Sequence, residues 1–390
     1  MENEQRKMDR FDWTLAFLLF LFFVVSCLAI SSAQTTSPYE VNFVKQQIFW
    51  YVIGSIIIAG CMLFEPEQFK KLSWYLYGFG IFLLLFLKIA PETIAPYTNG
   101  VKSWFRFGVV SFQPSEFMKI FMILAMGRLI VDHHQKYLMK TLKTDFLLFA
   151  KIALTALVPL ALVLDQPDLG TGLVLMAITA GILLVSGISW KIIIPMFLSV
   201  GLIGAGIIYV MIQFPEYLKA HIPDYQFKRI YSWLDPYSYP TKEGFNLISA
   251  MQAIGSGEIT GKGYLDREVN VPENHTDFIF TVIGEEYGFI GASIVIILYF
   301  LLIFHIIRTA LETNSHFNAY VCAGIISMTA FHVFENIGMS IQLLPITGIP
   351  LPFISYGGSS LMGNMFAMGI IFSIRYYHRN YMFATEDEEE

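Results

Sequence analysis

Asp277 has the surroundings that most invite chemistry. It follows Glu273, Asn274, His275 and Thr276 and leads into the apolar run Phe-Ile-Phe. A carboxylate at such a junction can take a proton from a substrate hydroxyl, or it can serve as a helix cap or first-turn acid. Glu285 and Glu286 follow two turns later. At roughly 100° per residue, Glu285 stays on the Asp277 side and Glu286 points opposite. Glu116 and Lys119, three apart, share one helical face, where they can brace two helices or hold a charge in place. The run Gly255-Ser-Gly-Glu-Ile-Thr-Gly-Lys-Gly263 approaches a phosphate-loop pattern, but Ser256 and Gly263 stand where Gly and Ser or Thr belong. What remains is a glycine-rich turn whose amides and Lys262 could meet some other phosphate. Asp132-His133-His134 lacks the spaced third ligand of a metal site. His305 and His332 read as helix-packing or pore-facing residues.

The elements that must position these groups follow from composition. Of 390 residues, 55% are hydrophobic and 14% charged, which is too little charge to clothe a soluble protein of this size. The fold class expected is an all-α polytopic membrane protein. A bilayer core needs about 20 mostly apolar residues per helix. Ten such spans are expected, near 13–33, 47–64, 72–90, 115–131, 147–164, 171–187, 191–212, 277–303, 318–343 and 360–376. The first is too long for the core of a signal peptide and reads as a retained helix. With the N-terminus inside, twelve Lys and Arg fall on inner segments and only Lys45, Lys102 and Arg106 on short outer loops. That asymmetry makes both termini cytoplasmic. Of the net charge of −6, five acids form the terminal run 386–390, in a tail, 381–390, that reads as solvated and cytoplasmic. The remainder is nearly neutral, which excludes a basic footprint for nucleic acid. Cys27, Cys61 and Cys322 lie in apolar runs and read as core residues, not a disulfide framework.

Polar, aromatic-rich segments gather on the outer side: 91–114, 165–171, the large extracellular loop 213–276 between helices 7 and 8, and 344–360. The last is too apolar for a solvated loop and too rich in Pro and Gly for a helix. It reads as a re-entrant segment before helix 10, with a tight interfacial turn as the alternative. Within the large loop, residues 245–254 have near-helical apolar spacing. They could flank a groove for lipid tails or pack on top of the bundle.

Six stretches, in order, carry a resemblance. They are Asn99-Gly-Val-Lys-Ser-Trp104, Gln113-Pro-Ser-Glu-Phe-Met-Lys119, Gln166-Pro-Asp-Leu-Gly-Thr171, Gly255-Ser-Gly with Gly261-Lys-Gly263, the segment from His275 to Gly291, and Gly348-Ile-Pro-Leu-Pro-Phe-Ile-Ser-Tyr-Gly-Gly-Ser-Ser360. Together they resemble the SEDS family (shape, elongation, division and sporulation) across nearly the whole chain. The run from Asn336 to Pro350 is similar to its elongation branch, with division as the nearest alternative.

The resemblance implies an inverting peptidoglycan glycosyltransferase that polymerises lipid II at the outer membrane face. Asp277 matches the family's catalytic aspartate and would be the base for the acceptor sugar's 4-hydroxyl. The leaving pyrophosphate gathers negative charge that cations must stabilise; Lys119, Arg106, Arg229 and Lys262 are the candidates. Glu116 would hold Lys119, and Trp104 would stack on sugar or line the path of the lipid. Asp168, Ser355 and Tyr356 would shape the cavity, and His275 joins the substrate-binding set. No ligand cluster marks a resident metal, though a divalent cation, Mg or Mn, could assist the pyrophosphate. A class B penicillin-binding transpeptidase and other cell-elongation proteins are the implied partners. A lipid II flippase and a non-catalytic scaffold are the competing readings. The one-sided gathering of polar segments speaks against the flippase, which needs groups reachable from both faces.

Overall fold

The computed structural model describes residues 10–36, 41–97, 102–107, 110–214, 224–238 and 242–381. Asn99, Gly100 and Val101 of one matched stretch, parts of the large loop and the acidic run 386–390 lie outside the described residues. Among the described residues the fold is helical, with one short antiparallel hairpin.

The helices are α1 (Trp13–Ala33), α2 (Phe43–Met62), α3 (Pro66–Ile89), α4 (Pro114–Lys136), α5 (Leu142–Asp165), α6 (Leu169–Val185) and α7 (Trp190–Gln213). Then come α8 (Asp224–Leu234), α9 (Lys242–Ser256), α10 (Ile279–Glu312), α11 (His316–Ser340) and α12 (Gly358–Tyr381). Strands β1 (Phe105–Phe107) and β2 (Val110–Phe112) pair with Arg106 opposite Ser111. Starts follow local chemistry. The side chains of Asp12, Asn42, Thr141, Asp168 and Ser189 each accept a backbone N–H at the head of a helix, and Pro66 and Pro114 open α3 and α4 where no donor is needed.

Among the described residues, seven helices are long and apolar enough to cross a membrane: α1, α2, α3, α5, α7, α10 and α11. The chain is therefore a polytopic membrane protein. Of the other three long helices, α6 is apolar but only 17 residues long, and the remaining two differ for a physical reason. A helix surrounded by protein need not be apolar all round, and α4 buries Ser115, Glu116, Lys119 and His133 among its apolar residues. Likewise α12 buries Ser359, Ser360, Asn364 and Ser373. At the other extreme, α7 buries only Ile193 and Met211.

The segment between α11 and α12 is irregular backbone, yet residues 351–355 are all buried. Its carbonyls are satisfied by side chains from three helices. Tyr299 of α10 donates to Pro352 O, Tyr51 of α2 to Phe353 O at 2.6 Å, and Ser26 of α1 to Ile354 O at 2.8 Å. Buried backbone without helix or strand is tolerated on such terms alone.

The stretch 245–254 falls on α9, which buries Leu247, Ala250 and Ala253. Ala250 and Ala253 pack with Val271, Phe278 and Met339. Of its two readings, packing on the bundle is the one the contacts favour. Helix α10 is kinked at Gly288, whose φ of 59° suits glycine. The kink frees carbonyls that the glycine-rich turn takes up: Lys262 N–H donates to Glu285 O and Gly263 N–H to Glu286 O, both at 3.0 Å. A Cβ on Gly261 would sit 2.1 Å from Glu286 O, so the two backbones meet directly.

Candidate active site

Asp277 stands two residues ahead of α10. It is not a cap, because the N-cap position belongs to Phe278 and carries no side-chain bond. Three contacts fix it and its neighbours. The Asn336 side chain of α11 donates to Asp277 O at 2.7 Å and to Ile349 O at 2.8 Å. Ser355 Oγ donates to Thr276 O at 2.6 Å, and Tyr356 N–H donates to His275 O at 2.9 Å. The buried segment before α12 thus grips 275–277 from one side, while α9 and α11 hold Phe278 in an apolar cluster. The Asp277 carboxylate faces Gly348, and Oδ2 lies 3.2 Å from where a Cβ would stand there.

Electrostatics sets its proton affinity. Desolvation lifts the Asp277 carboxyl from an ordinary 3.8 to about 6; the Glu273 carboxylate adds to the lift and Arg229 of α8 opposes it. A carboxyl near 6 is ionised at neutral pH yet basic enough to accept a proton. Burial also holds His275 below its ordinary range, against the pull of Glu273, so it is neutral at pH 7. Its ring stacks on Phe43 at 4.4 Å between centroids.

Beside this junction lies a cavity of about 310 Å³, lined by Trp104, Trp50, Gln46, Thr276 and Tyr356 among others. Flat aromatic faces beside hydroxyl and amide groups suit a sugar. The Tyr356 hydroxyl bonds Gln46, which sets the tyrosine in that wall. Thr276 lines the cavity, and the next residue, Asp277, turns its carboxylate to Gly348 and the Arg229 side.

The structure therefore gathers Asp277, His275, Ser355, Tyr356, Trp104 and Arg229 around one junction. Arg106 is exposed on β1. Asp168 caps α6 through Thr171 N–H at 2.9 Å and accepts from Gln113 Nε2 at 3.1 Å, tying α6 to the start of α4. Gln113 N–H donates in turn to Ser359 Oγ at 3.0 Å. Glu116 and Lys119 form a buried ion pair at 2.8 Å, and Lys119 Nζ lies 3.1 Å from His332 Nε2. His332 Nδ1 bonds Met328 O at 2.8 Å, so Nδ1 carries the proton and Nε2 accepts from Lys119.

Lys262 and the glycine-rich turn are engaged by protein groups. The Lys262 ammonium pairs with Glu268 at 2.8 Å and with buried Glu285 at 3.1 Å, and the Lys262 and Gly263 amides are bonded to α10. Glu285 and Glu286 do diverge, but both hold the same segment, residues 265–269. Glu285 accepts from the N–H groups of Glu268 and Val269 at 2.8 and 3.0 Å. Glu286 takes Ser32, Leu265 N–H and Arg267. Sequence reasoning gave no separate role to Asn336, Gly348, Glu273 or Gln46. Only the location of Asn336 and Gly348 inside matched stretches pointed at them. Among the described residues, no three His, Cys, Asp or Glu side chains converge as a metal site. Those residues offer a Mg or Mn ion no preassembled ligand set.

The profile described as cell cycle protein, for FtsW, RodA and SpoVE, matches residues 7–380. The chain belongs to the FtsW/RodA/SpoVE family. Among its curated relatives, the peptidoglycan glycosyltransferase MrdB of Escherichia coli K12 is 33% identical over 372 residues, covering 94% of each chain. Stage V sporulation protein E of Bacillus subtilis is 32% identical over 378 residues, covering 94% of this chain and 98% of its own. A chain from a peptidoglycan synthase complex that coordinates polymerization and crosslinking superposes with a TM-score of 0.75 at 26% identity. That likeness covers 95% of this chain and 98% of the other. Family membership thus extends over the whole bundle that carries the site.

Proposed function

We propose that this family member is a peptidoglycan glycosyltransferase that polymerises lipid II into glycan strands at the outer face of the cytoplasmic membrane. The observation that carries the mechanism is the Asp277 carboxyl, lifted to about 6 and fixed in place by its neighbours. The 4-hydroxyl of the acceptor sugar is a poor nucleophile. Asp277 takes its proton as the oxygen attacks the donor's anomeric carbon. The bond to pyrophosphate breaks on the opposite face, so the anomeric centre inverts. A positioned base of this kind contributes roughly 10²–10⁴-fold. Arg229, already coupled to Asp277, is the cation best placed to meet developing phosphate charge. Trp104 and Tyr356 offer the sugar its walls. Glu116, Lys119 and His332 hold α4 to α11 beneath the site.

The topology proposed has ten spans. It adds α4, α6 and α12 to the seven apolar helices, with both termini inside and 213–276 outside. Residues 344–357 form a re-entrant wall at the outer end, supported by their burial and their side-chain-capped carbonyls. The partner proposed is a class B penicillin-binding transpeptidase docked on α10 and α11, together with other proteins of a cell-elongation complex. Elongation, not division, is the role assigned, on the run from Asn336 to Pro350.

The test is lipid II polymerisation by purified protein with its transpeptidase, comparing wild type with Asp277→Ala. Both forms must be folded and bind the partner equally. Strands from wild type alone support the reading; equal strands from both remove Asp277 from the mechanism.

A further inference from the structure

Far from Asp277, at the opposite end of α10, a second cavity of about 440 Å³ is lined by His134, Gln135, Tyr137, Lys140, His316 and Tyr320 among others. Three junctions meet there: the end of α4 with the residues after it, the turn between α6 and α7, and the head of α11. Two nitrogen donors converge on the turn. A Cβ built on Gly187 would lie 3.1 Å from Lys140 Nζ and 3.8 Å from His134 Nε2. With φ at +76°, that turn favours glycine, which lets both groups approach. His134 Nε2 bonds Ser186 O at 2.8 Å, which orients the ring.

The charge balance is one-sided. Lys136 and Lys151 lie 5.7 and 5.8 Å from the Tyr137 ring centre. No carboxylate lines the cavity. The nearby acids are committed elsewhere: Asp132 to Arg128 at 3.4 Å and Asp145 to Ser189 N–H at 3.0 Å. Among the described residues, neither Lys140 nor Lys136 has an ion-pair partner. Cationic and tyrosyl groups around an acid-free hollow between helix ends suit a phosphate monoanion or diester. On the inner side of a membrane, such basic pockets meet anionic headgroups.

We propose that this cavity binds the phosphate of an anionic phospholipid headgroup in the inner leaflet, a site separate from the polymerisation chemistry. The inner placement rests on the topology proposed above. Binding itself is measurable without it, because nanodiscs present both faces.

The test places the full-length protein in phosphatidylcholine nanodiscs with and without phosphatidylglycerol. Retained lipid is read by native mass spectrometry. Wild type should retain phosphatidylglycerol over phosphatidylcholine, and Lys140→Gln with His316→Gln should weaken that retention by about tenfold. Lys70→Gln with Lys71→Gln, expected at the same end, should not. Lipid II polymerisation should stay unchanged in both double variants, which also shows that they fold. Equal retention by wild type and the Lys140/His316 variant overturns the site. So does equal loss in the Lys70/Lys71 control, which would mean diffuse attraction. Inorganic phosphate alone is the third arm. If it stabilises wild type through Lys140 and His316 while phosphatidylglycerol does not, the lipid source is overturned in favour of a soluble phosphate.

Discussion

The Asp277 carboxylate stands 3.2 Å from the point that a Cβ would occupy on Gly348, whose φ is +79°. Two demands thus fall on one glycine: left-handed backbone and free space for a carboxylate. Gly348→Ala would carry about 1–2 kcal/mol of backbone strain. It would also press on Asp277, and small displacements of a reacting group are costly. We expect kcat for lipid II polymerisation to fall roughly 10- to 100-fold while KM changes little. An Ala variant with wild-type kcat would show that the carboxylate does not react from this position.

The lifted Asp277 carboxyl gives activity and stability opposite pH dependences. As the base, it must be ionised, so polymerisation should fall on the acid side with a midpoint near 6. For stability the sign runs the other way. The folded-state value lies above the unfolded 3.8, so the folded protein binds this proton more tightly. That contribution is full below about 3.8 and is lost as pH rises through about 6. At neutral pH the ionised group costs at most about 3 kcal/mol. Asp277→Asn should therefore abolish polymerisation and raise Tm, more at pH 8 than at pH 5. A Tm gain that does not depend on pH would contradict this account.

Lys119 is held between Glu116 at 2.8 Å and His332 at 3.1 Å, and all three are buried. Removing one charge strands the other: Lys119→Met leaves an uncompensated carboxylate, at about 3–5 kcal/mol. Replacing both, as Glu116→Gln with Lys119→Met, should restore much of that loss. Thermal melts of the two single variants and the double variant measure the coupling. Additive losses would mean that the pair does not act as a unit.

Legibility in the sequence followed the physics of each feature. Apolar length and charge asymmetry made the membrane helices readable, because lipid penalises polar groups wherever they face it. The spacing of Glu116 and Lys119 announced a shared face, and the structure joins them. His332, 213 positions away from Lys119, completes the triad through packing that no local pattern encodes. The matched stretches drew attention to Asp277, but its lift to about 6 depends on burial, Glu273 and Arg229 converging from separate elements. The glycine-rich turn admits two readings for a definable reason. Glycines that free amides for a phosphate look the same in sequence as glycines that let two backbones touch, and here the kink at Gly288 takes the amides.

That difference is open to test at Lys262. Its ammonium bridges exposed Glu268 and buried Glu285, and the neighbouring Glu268 carboxylate holds it above its ordinary range. Glu285 keeps two backbone donors without it, so Lys262→Gln should cost only about 1 kcal/mol or less. As a clamp, its loss should loosen residues 257–269, seen as faster amide hydrogen exchange there, with KM for lipid II unchanged. Glu285→Gln should loosen the same segment, and combining the two should add little. If Lys262→Gln instead raised KM several-fold while exchange stayed at the wild-type rate, the lysine would belong to the pyrophosphate and not to the clamp.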